Sequence, residues 1–188
     1  MEATAAATLE LDNQLVEETL RGSREAFGRL VEQHFDHAFA VAYRILGHKE
    51  DAEDAVQDGF IKALEKLSSF DLSRPLKPWL LRIVANRAYD LREARSVRTT
   101  QALDEGLVGH AAGPEQELEN AELGERLKAA LRQLPEQQRV IVELFEIEGM
   151  NSAEISEVLG IPRGTVRWTL HQARKVLREA METVKNDY

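Results

Sequence analysis

A chain of 188 residues suffices for one ordinary domain or two small ones, and a hydrophobic share of 43% can fill their cores. The absence of cysteine excludes disulfides, thiolate metal sites and thiol nucleophiles, and a net charge of −9, taken alone, argues against nucleic acid as a partner. The start lacks the basic and apolar segments of a signal peptide and no apolar run reaches membrane-spanning length, so a cytoplasmic protein is expected.

Low aromatic content (6%) with many Leu, Ala, Glu and Arg favours helices, and no alternating strand pattern occurs. Ser23 can cap a helix that runs to Leu46 and ends at Gly47, with Phe27, Leu30, Val31, His34, Phe35, Ala38, Ala42 and Ile45 at helical spacing. His34 and His37 lie on it at i, i+3, but no neighbouring acid completes a ligand pattern, so they read as a solvated or core-edge pair. Asp51 to Lys66 is the next helix, burying Ala52, Val56, Phe60, Ala63 and Leu67. After the turn-rich stretch Ser68–Pro78, a third long helix starts near Pro78, a favourable first-turn residue, and buries Leu80, Ile83, Val84 and Leu91.

Mapping the charge removes the objection to nucleic acid. From Lys62 to Arg98, nine basic residues (62, 66, 74, 77, 82, 87, 92, 95, 98) face four acids (65, 71, 90, 93). Between Arg98 and Arg126 there is no Lys or Arg, while Asp104, Glu105, Glu115, Glu117, Glu119, Glu122 and Glu125 are acidic. Thr99 to Gly113 has no sustained apolar period and reads as a flexible acidic linker. The seven acids could mimic nucleic acid, shield the basic lobes or merely solubilise a tether. The parse is all-α, with small helical domains over residues 1–98 and 114–188 and a linker over 99–113.

The second lobe opens with a helix from Pro114 to about Gln133. Pro135 begins another, carrying Val140, Ile141, Leu144 and Phe145, which Gly149 stops. Asn151 and Glu154 have the spacing of a reciprocal capping box for the short helix Ser152–Leu159. Gly160-Ile161-Pro162 forms the turn, Gly160 being able to adopt the left-handed conformation, and a long helix follows from Arg163. Val166, Leu170, Ala173, Leu177, Ala180 and Val184 mark its inner stripe, and Arg163, Arg167, His171, Arg174 and Arg178 the adjoining flank. A solvated basic face would interleave acids as i,i+4 partners, but none occurs from Arg163 to Arg178. The arrangement is that of a DNA-reading helix-turn-helix, with cations on phosphates and side chains near the helix start on base edges.

The segment LPEQQRVIVELFEIEGMNSAEISEVLGIPRGTVRWTLHQARKVLREA (Leu134–Ala180) resembles the fourth conserved region of sigma factors, most closely the extracytoplasmic-function (ECF) subgroup. AFGRLVEQHFDHAFAVAYRILGHKEDAEDAVQDGFIKALEKLSSF (Ala26–Phe70) and LKPWLLRIVANRAYDLREARSVR (Leu76–Arg98) resemble that subgroup's second region. The resemblance implies a dissociable specificity subunit of bacterial RNA polymerase. Its second region would bind the core enzyme's clamp helices and open the minus-ten element, and its fourth would read the minus-thirty-five element. By the same resemblance Asp51, Glu53, Asp54, Gln57 and Asp58 face core polymerase, and the first-turn acids among them also suit the helix macrodipole without a partner. Ser69, Phe70, Lys77, Arg82, Asn86 and Arg87 are assigned to minus-ten DNA. Arg163, Thr165, Arg167, Trp168, His171, Gln172, Arg174 and Lys175 are assigned to minus-thirty-five DNA. Trp79 reads better as core than as a base stacker.

The implied partners are core polymerase, promoter DNA and an anti-sigma factor, frequently membrane-bound in this subgroup. No catalytic set, metal ligand set, cofactor or small-molecule substrate is expected. Members of the subgroup commonly carry Ser-Arg after the residue matching Arg167 and a further Arg three positions later; this chain has Trp168, Thr169 and Gln172, so two basic groups are missing, a bulky aromatic is added, and an unusual minus-thirty-five sequence is expected. Gly59 replaces a larger residue, which would loosen its helix by up to about 1 kcal/mol. The competing reading is a stand-alone helix-turn-helix regulator that never binds polymerase; it leaves DAEDAVQD and the basic 62–98 region without a purpose.

Overall fold

The computed structural model of the chain describes residues 2–99 and 134–182. Among the described residues there are seven α-helices, one 3-10 turn and no strand. They are α1 (Glu2–Leu20), α2 (Arg24–Leu46), α3 (Lys49–Lys66), α4 (Leu76–Thr99), α5 (Glu136–Glu146), α6 (Ser152–Leu159) and α7 (Arg163–Glu182), with the 3-10 turn over Leu67–Ser69. The expected helix over 114–133, and the linker beyond Thr99, lie outside the described residues. No helix among the described residues is long and apolar enough to cross a membrane. The chain falls into two compact units.

In the first unit, Ser23 accepts a hydrogen bond from the Ala26 backbone N–H at 3.2 Å and so caps α2. At the other end Gly47, at φ 72°, donates its N–H to the Tyr43 carbonyl and closes the helix in the left-handed conformation. α2 packs on α1, α3 and α4, and α3 on α4. Its buried residues Ala26, Leu30, His34, Ala38, Val41, Ala42 and Ile45 recur by threes and fours. Phe35 does not join them. It faces outward and stacks on Phe39, which stacks on Tyr43, at centroid distances of 6.3 and 5.9 Å.

Two features of this unit correct the sequence reading. The first is α1, whose Leu15 and Val16 enter a core cluster with Ala26, Leu30, Leu67 and Leu76. Asp12 of α1 lies buried against α2, where its Oδ1 accepts from Gln33 Nε2 at 2.8 Å and sits 3.2 Å from His34 Nε2. His34 is therefore a buried residue paired across two helices, not a core-edge one. The second is Gly59. A Cβ built there would stand 2.6 Å from Val84 Cγ2 and 3.2 Å from Val84 Cα. The missing side chain is what lets α3 and α4 approach, so the glycine tightens the unit.

In residues 134–182, Pro135 precedes α5, which buries Val140, Ile141 and Leu144. The helix ends at Glu146, three residues before the Gly149 expected to stop it, and Gly149 takes a positive φ of 65° in the turn that follows. The capping box forms as spaced: Asn151 Oδ1 accepts from the N–H groups of Ala153 and Glu154, and Glu154 Oε2 accepts from the Asn151 N–H at 2.8 Å. Gly160 reaches φ 68°, and the chain turns into α7. α7 packs on α5 and buries Val166, Leu170 and Ala173.

Candidate nucleic-acid and protein interfaces

The basic face of α7 follows from its buried one. With Val166, Leu170 and Ala173 turned inward, 3.6 residues per turn puts Arg163, Thr165, Arg167, Trp168, His171, Arg174 and Lys175 on the exposed side, and all are exposed. Gln172 is half-buried at its margin. Thr169 is 3% exposed, on the same stripe as Val166 and Ala173, so it is a packing residue and takes no part in setting the outer surface. Arg174 is held by α5: its Nη2 reaches Glu146 Oε1 at 3.3 Å, and its guanidinium lies 5.4 Å from the Phe145 ring centre. An acid does therefore partner this basic face, but it comes from the neighbouring helix, where a scan along α7 cannot find it. The pair is more than half exposed and so adds little stability; its effect is to orient the Arg174 side chain.

On the first unit, the acids of α3 separate into two kinds. Asp54 and Gln57 are exposed. Asp51 pairs with Arg95 of α4, and Glu53 with Lys49 one turn before it at 3.6 Å. Asp58 Oδ2 accepts from both Nε and Nη2 of Arg87, at 2.8 and 2.7 Å. This pairing brings together a residue assigned to polymerase and one assigned to DNA, and it gives Asp58 a reason to sit deep in α3 that needs no outside partner. Arg82 and Asn86 are exposed on α4, and Lys77 is half-buried.

The stretch between α3 and α4 is built from short-range bonds. Ser69 donates to the Lys66 carbonyl at 2.7 Å. The hydroxyl and backbone N–H of Ser73 both donate to Asp71 Oδ1, at 2.7 and 3.0 Å. These two bonds, with Arg74 adding to them, hold the Asp71 carboxyl below the usual carboxylate range. Phe70 and Trp79 are partly buried against the α1–α2 cluster with ring centres 5.1 Å apart, so Trp79 packs as expected and Phe70 packs with it.

Residues 30–98 match the family described as Sigma-70 region 2, and residues 124–177 match Sigma-70, region 4. The ECF RNA polymerase sigma factor SigW of Bacillus subtilis is 31% identical over 178 residues, which are 88% of this chain and 94% of that relative. The chain belongs to the ECF sigma factors. Two solved structures resemble this sigma factor over most of both chains. CnrH in complex with the cytosolic domain of CnrY has a TM-score of 0.62 and 30% identity, covering 92% of this chain and 98% of that one. RpoE of Bartonella quintana in complex with the anti-sigma factor NepR has a TM-score of 0.66 and 26% identity, covering 83% and 96%.

The region 2 match begins at residue 30, so α1 lies ahead of it in this sigma factor. The residues that sequence reasoning missed are those whose partners are distant: Asp12 for His34, Arg95 for Asp51, Arg87 for Asp58 and Glu146 for Arg174. Only the excess of Arg over acid along α4 hinted that α3 would supply counter-charges.

Proposed function

We propose that this sigma factor binds core RNA polymerase through the exposed side of α3 and directs initiation by holding promoter DNA with α4 and α7. The single observation that carries the reading is the order of the two family matches on one chain, region 2 before region 4. A stand-alone regulator would need the second match alone. Within region 2, Asp54 and Gln57 are the favoured contacts to core, since they are exposed while Asp51, Glu53 and Asp58 have partners in the chain. Arg82 and Asn86 are the favoured minus-ten contacts, and Arg163, Thr165, Arg167, Trp168 and His171 the favoured minus-thirty-five contacts. Residues 1–98 and 114–188 are the corresponding domains, with 99–113 between them.

A sigma factor acts by positioning polymerase and performs no catalysis of its own, and its place of work is that of polymerase, the cytoplasm. An anti-sigma factor is the natural second partner, as NepR is for RpoE. The test is co-elution of the chain with core polymerase. The wild type should form a 1:1 complex, and the Asp54→Ala, Gln57→Ala double variant should bind at least tenfold more weakly with unchanged helicity. Equal affinity of the two would remove α3 from the interface.

A further inference from the structure

Trp168 is 58% exposed, with no core role to account for it. At 100° per residue it stands about 200° round α7 from Val166, opposite the buried stripe. Arg167 and His171 flank it, and no acid occurs between Arg163 and Arg178, so the indole is an apolar spot within a cationic face. One turn earlier is Gly164, where an added Cβ would meet nothing within 4 Å. No side-chain atom, those of the indole included, comes within 4 Å of that added Cβ, so the turn before Trp168 is open space. The result is an apolar wall beside an open notch at the end of α7 that faces base edges when such a helix docks.

Duplex DNA presents one apolar group in its major groove, the C5-methyl of thymine. A cationic surface with an apolar wall complements phosphates around such a methyl. We propose that Trp168 reads the C5-methyl of a thymine in the upstream promoter element, making it a specificity-determining residue of α7. This rests on the reading that α7 enters the major groove. The indole offers a single N–H donor, so its discrimination comes from apolar contact, and removal of one methyl should weaken binding about fourfold.

The experiment uses holoenzyme reconstituted from the full chain and core polymerase. Duplexes randomised over the upstream element are selected for binding, and each thymine of the winning duplex is then replaced in turn by uracil, which pairs identically but lacks the methyl. Affinities are measured at low salt, where phosphate contacts keep weakened complexes bound. The proposal predicts one thymine whose replacement lowers wild-type affinity about fourfold and leaves Trp168→Ala affinity unchanged. If no thymine is methyl-dependent, or if the dependence persists in Trp168→Ala, the role of Trp168 is overturned while α7 remains a DNA contact. If selection enriches no upstream sequence, α7 as a promoter reader fails, and the Trp168 proposal with it.

Discussion

Substituting Gly59 by alanine tests the packing of the first unit more sharply than any truncation. In a free helix the change is favourable by about 1 kcal/mol, because glycine carries the larger entropic loss. Here the new methyl would lie 2.6 Å from Val84 Cγ2 and 3.2 Å from Val84 Cα. Val84 is fully buried and β-branched, so its rotamer is fixed within α4 and it cannot swing aside. Relief must come from separating α3 and α4, and overpacking of this kind costs about 1–3 kcal/mol, with the backbone contact favouring the upper part. The net expectation is a loss of about 1–2 kcal/mol. Urea unfolding followed by Trp79 fluorescence in a Trp168→Phe background measures it, because Trp79 then becomes the sole tryptophan. Gly59→Ala and Val84→Ala should also couple, the double variant losing less than the sum by at least about 0.5 kcal/mol. A Gly59→Ala protein as stable as its parent would refute the close-approach argument and restore the view that glycine merely loosens α3.

Further outcomes follow from the other named contacts. Asn151→Ala removes the acceptor for two backbone N–H groups at the start of α6 and should lower stability by about 0.5–2 kcal/mol in thermal unfolding. Asp58→Asn should cost at most about 1 kcal/mol, since its pair with Arg87 is partly exposed, and should leave core-polymerase affinity within twofold; a large affinity loss at unchanged stability would make Asp58 a contact residue. Ser73→Ala should raise the Asp71 pKa toward the ordinary carboxylate value in an NMR titration. In the wild type, the depressed pKa means that the ionised form, and the turn it holds, persist as pH falls until that lowered pKa is passed. Arg167→Ala should weaken promoter binding and reduce the slope of log K against log salt by about 1, and an unchanged slope would place Arg167 away from phosphate.

Signals that act within four residues were legible in the sequence. Ser23 and Gly47 bound α2, and Asn151 with Glu154 starts α6, because a cap is satisfied by its own helix. The inner stripe of α7 was legible because Val166, Leu170 and Ala173 keep helical spacing. What stayed hidden depends on which helix lies opposite. Phe35 has the spacing of a core residue but stacks on Phe39 at the surface, and periodicity alone cannot tell one apolar edge from the next. Thr169 looked like a lost DNA contact, yet it belongs to the buried stripe that includes polar positions. Gly59 looked like a defect until Val84 was found against it. Of the residues assigned to core polymerase, Asp54 and Gln57 are exposed, while Asp51 and Asp58 meet arginines of α4 more than twenty positions away in the chain.

Run-off transcription from fragmented genomic DNA, with core RNA polymerase and with or without the chain, tests the central claim most directly. The account predicts discrete transcripts that appear only when the chain is added, and that are lost when the exposed cations Arg163 and Arg167 are replaced by alanine together. Identical transcripts with and without the chain would contradict it.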